Sequence, residues 1–456
     1  MHLFCMSFYS TKIIATLGPS SSNKKTIKRM IESGVNAVRI NTAHGSTKEY
    51  SNFVSIVRSV SKEIPIIVDL KGPEVRVKTN SEVRVKKGQK ITVGFSPKDE
   101  IYFDKNFYQK AKLGGKILFE DARFPAKIVS KNKGKLKLKF LRNSVLQNNK
   151  GVNIPGLELG LPFLSQKDLQ VIKWAKKKKI LFYALSFCRS AIDLKKLRKK
   201  TGKDSVLIAK IESREGVKNY QKILGEAEGI IIARGDLGAE VRPESIPLLQ
   251  KRMVKQALNS GKFSVVATQM LESMIEKPYP TRAEVSDIAN SVLDGADCLM
   301  LSGETAIGIN PVAVVKEMRR SCEAVEESVP NMVAMKLGNN VSDSITKTIF
   351  QLSKYLKVNK IVAFTKSGYT CQMISRFREP IPIIGLTWSE RTLKLLQLYF
   401  GVAPLLLNKN QNMDSKKIIS LIKKKKLLKK NDSVIITGNK SGQEQQSNLI
   451  EVQKIN

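Results

Sequence analysis

Lys210 and Glu212 stand two residues apart at the end of the apolar run "SVLIAKIES". On a strand, a spacing of two puts both side chains on one face. The next apolar run, "GIIIARGDLGAE" at 229–240, stops in Arg234-Gly235-Asp236-Leu237-Gly238. Glu212 and Asp236 on neighbouring strand ends would be two hard oxygen donors, enough to hold Mg2+ while water and a phosphate-bearing ligand fill its other positions. The plainer reading pairs both carboxylates with Lys210 and Arg234, and a lone RGDLG is equally a tight turn with a solvated Asp. Similar groups end other apolar runs: Arg39 and Asn41 with His44 just beyond, Asp69 and Lys71, Thr268 and Gln269, Ser302 and Glu304. An isolated strand-end Lys usually reaches for water, and Ser or Thr there often caps the next helix. A whole set at one end is harder to explain that way. Arg39 and Lys210 suit an oxyanion-rich group in transfer, and amides near Gly235 and Asp236 suit a carboxylate. The matching substrate is anionic, metal-bound, and carries phosphate and carboxylate.

The elements that would position these groups alternate. "TKIIATLG", "AVRIN", "PIIVDLKG", "ILFYALSF", "SVLIAKIES", "GIIIARGDLG", "FSVVATQM" and "DCLMLSGET" read as buried strands, each followed by a helical pattern such as "NKKTIKRMIESG" or "QKDLQVIKWAKKKK". Eight strand–helix units predict a closed (β/α)8 TIM barrel, in which strand C-terminal ends carry the chemistry. The rhythm breaks after the third strand. There "EVRVK", "QKITVGF", "AKIVSK" and "KLKLKFL" alternate with period two, predicting an inserted all-β domain. A second, smaller alternation, including "KIVAFTKSG", "PIIGLT" and "DSVIITG", predicts a C-terminal doubly wound α/β domain. The expected boundaries are an N-terminal extension at 1–10, the barrel at 11–73 and 159–334, the insert at 74–158 and the C-terminal domain at 335–456.

The 456 residues carry 79 Lys and Arg against 40 Asp and Glu, a net charge of +39. Lysine is spread along the chain, its runs lie in or beside helical patterns, and only 6% of residues are aromatic. No stacking platform interleaves with the lysines, so specific nucleic-acid binding is not expected, although non-specific attraction to polyanions is. No apolar run is long enough to span a bilayer, and the start lacks the pattern of a signal peptide. Five cysteines without CxxC spacing predict a reducing, cytoplasmic setting.

"TKIIATLGPSS", "RINTAHG", "VDLKGPEVR", "KGVNIPG", "AKIESREG", "IIIARGDLGAE", "VVATQMLESM" and "KPYPTRAEVSDIANSVLDGADCLMLSGETA" together resemble the pyruvate kinase family, in the family's order. The resemblance is looser over the C-terminal domain. It implies phosphoryl transfer from phosphoenolpyruvate to ADP, giving ATP and pyruvate, the final ATP-forming step of glycolysis, by a homotetramer using Mg2+ and K+. It also implies roles. Lys210, with Arg39, would stabilise the phosphoryl group, and Glu212 and Asp236 would hold Mg2+. Gly235 and Asp236 would border the substrate. Thr268 would line the enolate face that receives a proton, with Ser302 and Glu304 on the water chain delivering it. Asn41, His44, Arg76 and Lys150 would meet the nucleotide, the insert closing over the barrel as a lid. Asn41, Asp69 and the Leu70 carbonyl would hold K+. Thr365, Lys366, Ser367, Gly368 and Thr370 resemble an effector-phosphate loop.

Several positions depart from the family pattern. Ala43 replaces a usual Ser, removing one K+ ligand, while Glu74 keeps the residue that accompanies K+ dependence. "FEDARF" keeps Asp121 but has Ala122 for a Gly, and "NKSGQEQQ" lacks the aromatic and arginine of fructose-bisphosphate-activated members, so little response to that sugar is expected. Two other classes stay open. An Mg2+-dependent enolate lyase or aldolase would share the carboxylates but need neither lid nor Lys210. A basic nucleic-acid-binding protein on an old barrel would bind without turnover.

Overall fold

In the computed structural model, eight parallel strands close into a barrel: β1 Lys12–Leu17, β2 Val35–Asn41, β3 Ile66–Leu70, β4 Phe182–Leu185, β5 Val206–Ile211, β6 Gly229–Ala233, β7 Phe263–Ala267 and β8 Cys298–Leu301. Each pairs with its sequence neighbours and β8 closes on β1. The structure describes residues 8–72, 74–120, 123–157, 160, 162–329, 341–408, 415–438 and 449–455. The expected fold class holds, barrel, β insert and C-terminal α/β domain alike.

The barrel strands read as unbroken apolar runs because both faces are covered. One alternate set, including Ile13, Ala15, Val38, Val68 and Ile230, packs against helix residues such as Ile27, Met30 and Val54. The other, including Ile14, Ala37, Ile67, Ile208, Ile231 and Val265, fills the barrel and continues into C-terminal residues such as Leu398 and Tyr399. Barrel and C-terminal domain therefore share one apolar core. Helix starts are chemically marked: Ser46 with Glu49, Ser165 with Asp168 and Thr281 with Glu284 form reciprocal capping boxes, each satisfying two otherwise orphaned amides.

The insert holds a seven-stranded sheet, in the order 90–93, 135–140, 124–132, 116–119, 151–153, 75–79 and 101–103, and a ribbon of 83–85 with 144–146. Its core is separate and rich in phenylalanine, with Phe103, Phe119 and Phe140 stacked in series at ring separations of 6.1 and 5.6 Å. The C-terminal sheet comprises β9 Lys360–Phe364, β10 Ile383–Thr387, β11 Val402–Leu406, β12 Ser433–Gly438 and β13 Leu449–Lys454, in the order β11-β10-β9-β12-β13. Only β13 is antiparallel. Pro404 is tolerated in β11 because that strand is an edge.

Candidate active site

The strand ends of β2, β3, β4 and β5 build one buried charge cluster. Arg39 on β2 donates from Nε to Asp69 Oδ2 at 2.7 Å, and its Nη2 lies 2.6 Å from the same oxygen. Its Nη1 donates to Thr16 Oγ1 at 3.0 Å. Lys210 on β5 lies 3.2 Å from Asp69 Oδ2 and 2.9 Å from Glu212 Oε1. Ser186, just beyond β4, joins the two, accepting from Lys210 Nζ at 2.8 Å and donating to Asp69 Oδ1 at 3.1 Å. The Phe187 amide donates to Glu212 Oε2 at 2.7 Å. All four charged residues are less than a tenth exposed. Burial alone would raise the Asp69 carboxyl, but Lys210 and Arg39 outweigh it and hold it below the usual carboxylate range. Burial would likewise discharge Lys210, yet Asp69 and Glu212 raise it above an ordinary lysine. The cluster is a pair of cations locked by carboxylates, with Asp236 close enough to add to the field at Lys210.

β6 and β7 form a second, strained unit. Thr268 and Gln269 follow β7 with φ of +68° and +54°, a region costly for non-glycine residues and most of all for a β-branched one. Arg234 holds them there. Its Nη2 donates to the Thr268 carbonyl at 2.6 Å and to that of Gln269 at 3.3 Å, while Nη1 donates to Asp287 at 2.7 Å. The turn aims Thr268 Oγ1 back at β6, where it accepts from the Gly235 amide at 2.9 Å. That amide is therefore engaged, where the sequence reading expected it to face a substrate carboxylate. Beyond β8, Glu304 accepts from the amides of Ser302 at 2.7 Å and Leu271 at 3.3 Å. Burial pushes its carboxyl above the usual range despite those bonds.

The chain leaves the barrel for the insert at a glycine turn. Gly72 has φ +68°, and a Cβ there would lie 2.5 Å from the Ser186 carbonyl oxygen. The preceding Lys71 amide donates to buried Asp168 at 2.9 Å, the same carboxylate that caps its own helix with Ser165. Past this turn, Arg76 is fixed by Glu74, at 2.8 Å, and by the Asn149 carbonyl, at 2.6 Å. Gly151 pairs with Arg76 in register, so Lys150 sits beside it, 3.8 Å from Glu120. His44 faces this group. Partial burial, then Arg76 and Lys167, keep its imidazole below the usual histidine range and neutral at pH 7.

The oxygens expected at a K+ site are near one another but engaged. Asn41 pairs with Asp69 across β2 and β3. Asn41 Oδ1 accepts from the Ala43 amide at 3.1 Å, and the Leu70 carbonyl accepts from the Ser186 amide at 3.3 Å. Asp69, expected as a K+ ligand, is in direct ion pairs with Arg39 and Lys210. Lys167, which sequence reasoning did not single out, donates to the carbonyls of Ala43 at 3.3 Å and Gly45 at 3.2 Å. Ser186 was also missed, although the rule that picked the other strand ends reaches it directly after β4. In the C-terminal domain, Thr365 Oγ1 accepts from the Gly368 amide at 2.8 Å, and Thr365 and Thr370 are buried while Lys366 is exposed. Asp121, Ala122 and the "NKSGQEQQ" loop lie outside the described residues.

A (β/α)8 barrel with buried cations and carboxylates at its strand ends, under an inserted β domain, defines an enzyme class that handles anionic substrates. A family model described as "Pyruvate kinase, barrel domain" matches residues 8–315, and one described as "Pyruvate kinase, alpha/beta domain" matches residues 343–453. A pyruvate kinase of Dictyostelium discoideum is 37% identical over 462 residues, covering 94% of this chain and 91% of its own. Pyruvate kinases of Sporosarcina psychrophila and Thermoplasma acidophilum are each 36% identical, over 89% and 87% of this chain and 73% of theirs. The chain belongs to the pyruvate kinase family and is a phosphotransferase.

Proposed function

We propose that the protein transfers the phosphoryl group of phosphoenolpyruvate to ADP, using Mg2+ and K+, as the last ATP-forming step of glycolysis. The observation that carries this reading is the buried Arg39–Asp69–Lys210–Glu212 cluster. Lys210 and Arg39, already oriented by Asp69 and Ser186, meet the charge spread over the phosphoryl oxygens without reorganising. Arg76, Lys150, Asn41 and His44 receive the nucleotide, and the insert closes over it to keep water from competing with ADP. Thr268, held by Arg234, lines the enolate face, and Ser302 and Glu304 lead a proton to it.

Glu212 and Asp236 suit Mg2+ by donor chemistry: two hard oxygens leave its remaining positions to water and substrate. When bound, the ion supplies Lewis acidity at the phosphate and enolate oxygens. Asn41, Leu70 and Asp69 suit K+ with water in place of the hydroxyl that Ala43 lacks. Among the described residues, four buried cysteines in the free state fit a cytoplasmic setting, and no helix is long and apolar enough to cross a membrane. Leu248, Tyr279, Ile307 and Ile309, all more than 60% exposed, are barrel-domain apolar side chains that a second copy within a homotetramer could cover.

Pyruvate release coupled to lactate dehydrogenase tests the reaction: NADH oxidation should require phosphoenolpyruvate, ADP and Mg2+ together. Pyruvate formed without ADP would favour a lyase, and RNA binding without turnover a binding protein. Omitting K+, with a tetraalkylammonium salt holding ionic strength, should abolish most activity, and Ala43→Ser should lower the K+ needed for half-activation. Full activity without K+ that disappears in Lys167→Met would instead assign the charge to Lys167.

A further inference from the structure

The net charge of +39 predicts diffuse attraction to polyanions, and one face of the insert concentrates it. The strand 135–140 reads KLKLKF, with Leu136, Leu138 and Phe140 in the insert's core and Lys135, Lys137 and Lys139 turned outward. Pairing with its neighbours sets lysine opposite lysine. Lys139 stands opposite Lys90 on one side and Lys127 on the other, and Lys127 in turn stands opposite Lys116. Residues in register share a face. Lys90, Lys139, Lys127 and Lys116 therefore form one exposed row across four adjacent strands. With about 4.8 Å between strands, the row is about 14 Å long.

The row works against the sheet that carries it, since like charges directly opposite one another are destabilising. Among the described residues, none of the four lysines pairs with a carboxylate, whereas Lys135, on the same strand as Lys139, meets Asp99 at 2.6 Å. Lysine on an edge strand blocks unwanted pairing with other chains. That accounts for Lys90, on the edge strand 90–93, but the other three stand on interior strands. The aromatic rings of these strands, Phe119, Phe124 and Phe140, pack into or against the core. The outward face is thus cationic and offers no ring for a base to stack on. Lys137 extends it, with the hydroxyls of Thr92 and Ser130 at the opposed positions.

We propose that this row binds the phosphate backbone of double-stranded nucleic acid, without sequence preference. Each strand of a duplex presents one phosphate per about 3.4 Å of helix axis. A row of about 14 Å then matches about four phosphates, one for each lysine. Single strands are held by stacked bases as well as by charge, whereas a duplex keeps its bases inside and presents its backbone. None of the four lysines is among the residues proposed to bind phosphoenolpyruvate or ADP.

Fluorescence anisotropy of the full-length protein with a labelled, mixed-sequence DNA duplex across a salt series tests this. Each neutralised phosphate contributes about 0.9 to the steepness of log K against log salt. Lys90→Gln, Lys116→Gln, Lys127→Gln and Lys139→Gln together should therefore lower the steepness by about 3.6 and weaken binding at least about tenfold at physiological salt. Lys176→Gln, Lys177→Gln, Lys178→Gln and Lys179→Gln remove the same charge from an exposed run at the end of a barrel helix. That second variant should leave the steepness within about one of the parent. The Tm of the row variant should not fall, because only like-charge neighbours are lost. If it fails to fold, Lys127→Gln with Lys139→Gln carries the test, with a change in steepness of about 1.8. A single strand of the same length should bind more weakly than the duplex. Equal loss of affinity in the two quadruple variants would overturn the proposal, as would a single strand bound as tightly as the duplex. So would a row variant that loses affinity for phosphatidylserine vesicles but keeps it for the duplex.

Discussion

Lys210 has two physical tasks that a single substitution separates. It is the proposed charge on the transferring group, and it is a counter-ion to Asp69 and Glu212. Lys210→Met should lower kcat at least about a hundredfold, the usual loss when a preorganised charge is removed from a transition state. It should also lower Tm, because two buried carboxylates lose a partner. Near-normal turnover would remove Lys210 from the chemistry. The acid limit of stability belongs to the same cluster. The Asp69 carboxyl is held below its ordinary value, so its contribution is present above the unfolded pKa and is lost as pH falls through the folded one. Glu304 is shifted the other way by burial and keeps its proton closer to neutrality. If it feeds the proton chain, kcat should fall as pH rises through its pKa, and Glu304→Gln should flatten that limb while leaving the KM for phosphoenolpyruvate within about twofold. An unchanged pH profile would place Glu304 among structural residues.

The hinge before the insert depends on a backbone that only glycine adopts cheaply. Gly72→Ala would set a Cβ against the Ser186 carbonyl, whose own hydroxyl bridges Lys210 and Asp69. The substitution should raise the KM for ADP and lower kcat together while the barrel stays folded, as circular dichroism and turnover would show; unaltered kinetics would uncouple the hinge from the site. Such couplings explain what was legible in the sequence. Apolar runs and their polar ends announced the barrel and most of the strand-end groups. Strands 101–103, 116–119, 144–146 and 151–153 are too short to show a period, and β11 hides behind Pro404. The Arg234 clamp on Thr268 and the Lys167 contact with Ala43 join residues far apart in sequence. No local pattern encodes either. Ser186 was within reach of the strand-end rule, but a lone serine reads as a cap.

At the scale of the whole molecule, the barrel and C-terminal domain share a core while the insert has its own. Their shared core is pinned by the buried Arg378–Asp297 pair at 2.8 Å and by Lys12, which donates to the Val402 carbonyl at 2.8 Å. The insert keeps its own core and leaves the barrel at Lys71 and Gly72, and the proposed function has it close over the barrel mouth. Closure is what separates a phosphotransferase from a phosphatase, because an open site would let water take the phosphoryl group. Phosphorus NMR on the purified protein with phosphoenolpyruvate, ADP, Mg2+ and K+ measures that choice directly. The account predicts that the phosphoenolpyruvate signal is replaced one for one by the γ-phosphate of ATP, and that Lys210→Met slows this at least about a hundredfold. Inorganic phosphate appearing in place of ATP, or a phosphoenolpyruvate signal that does not decay, would contradict it.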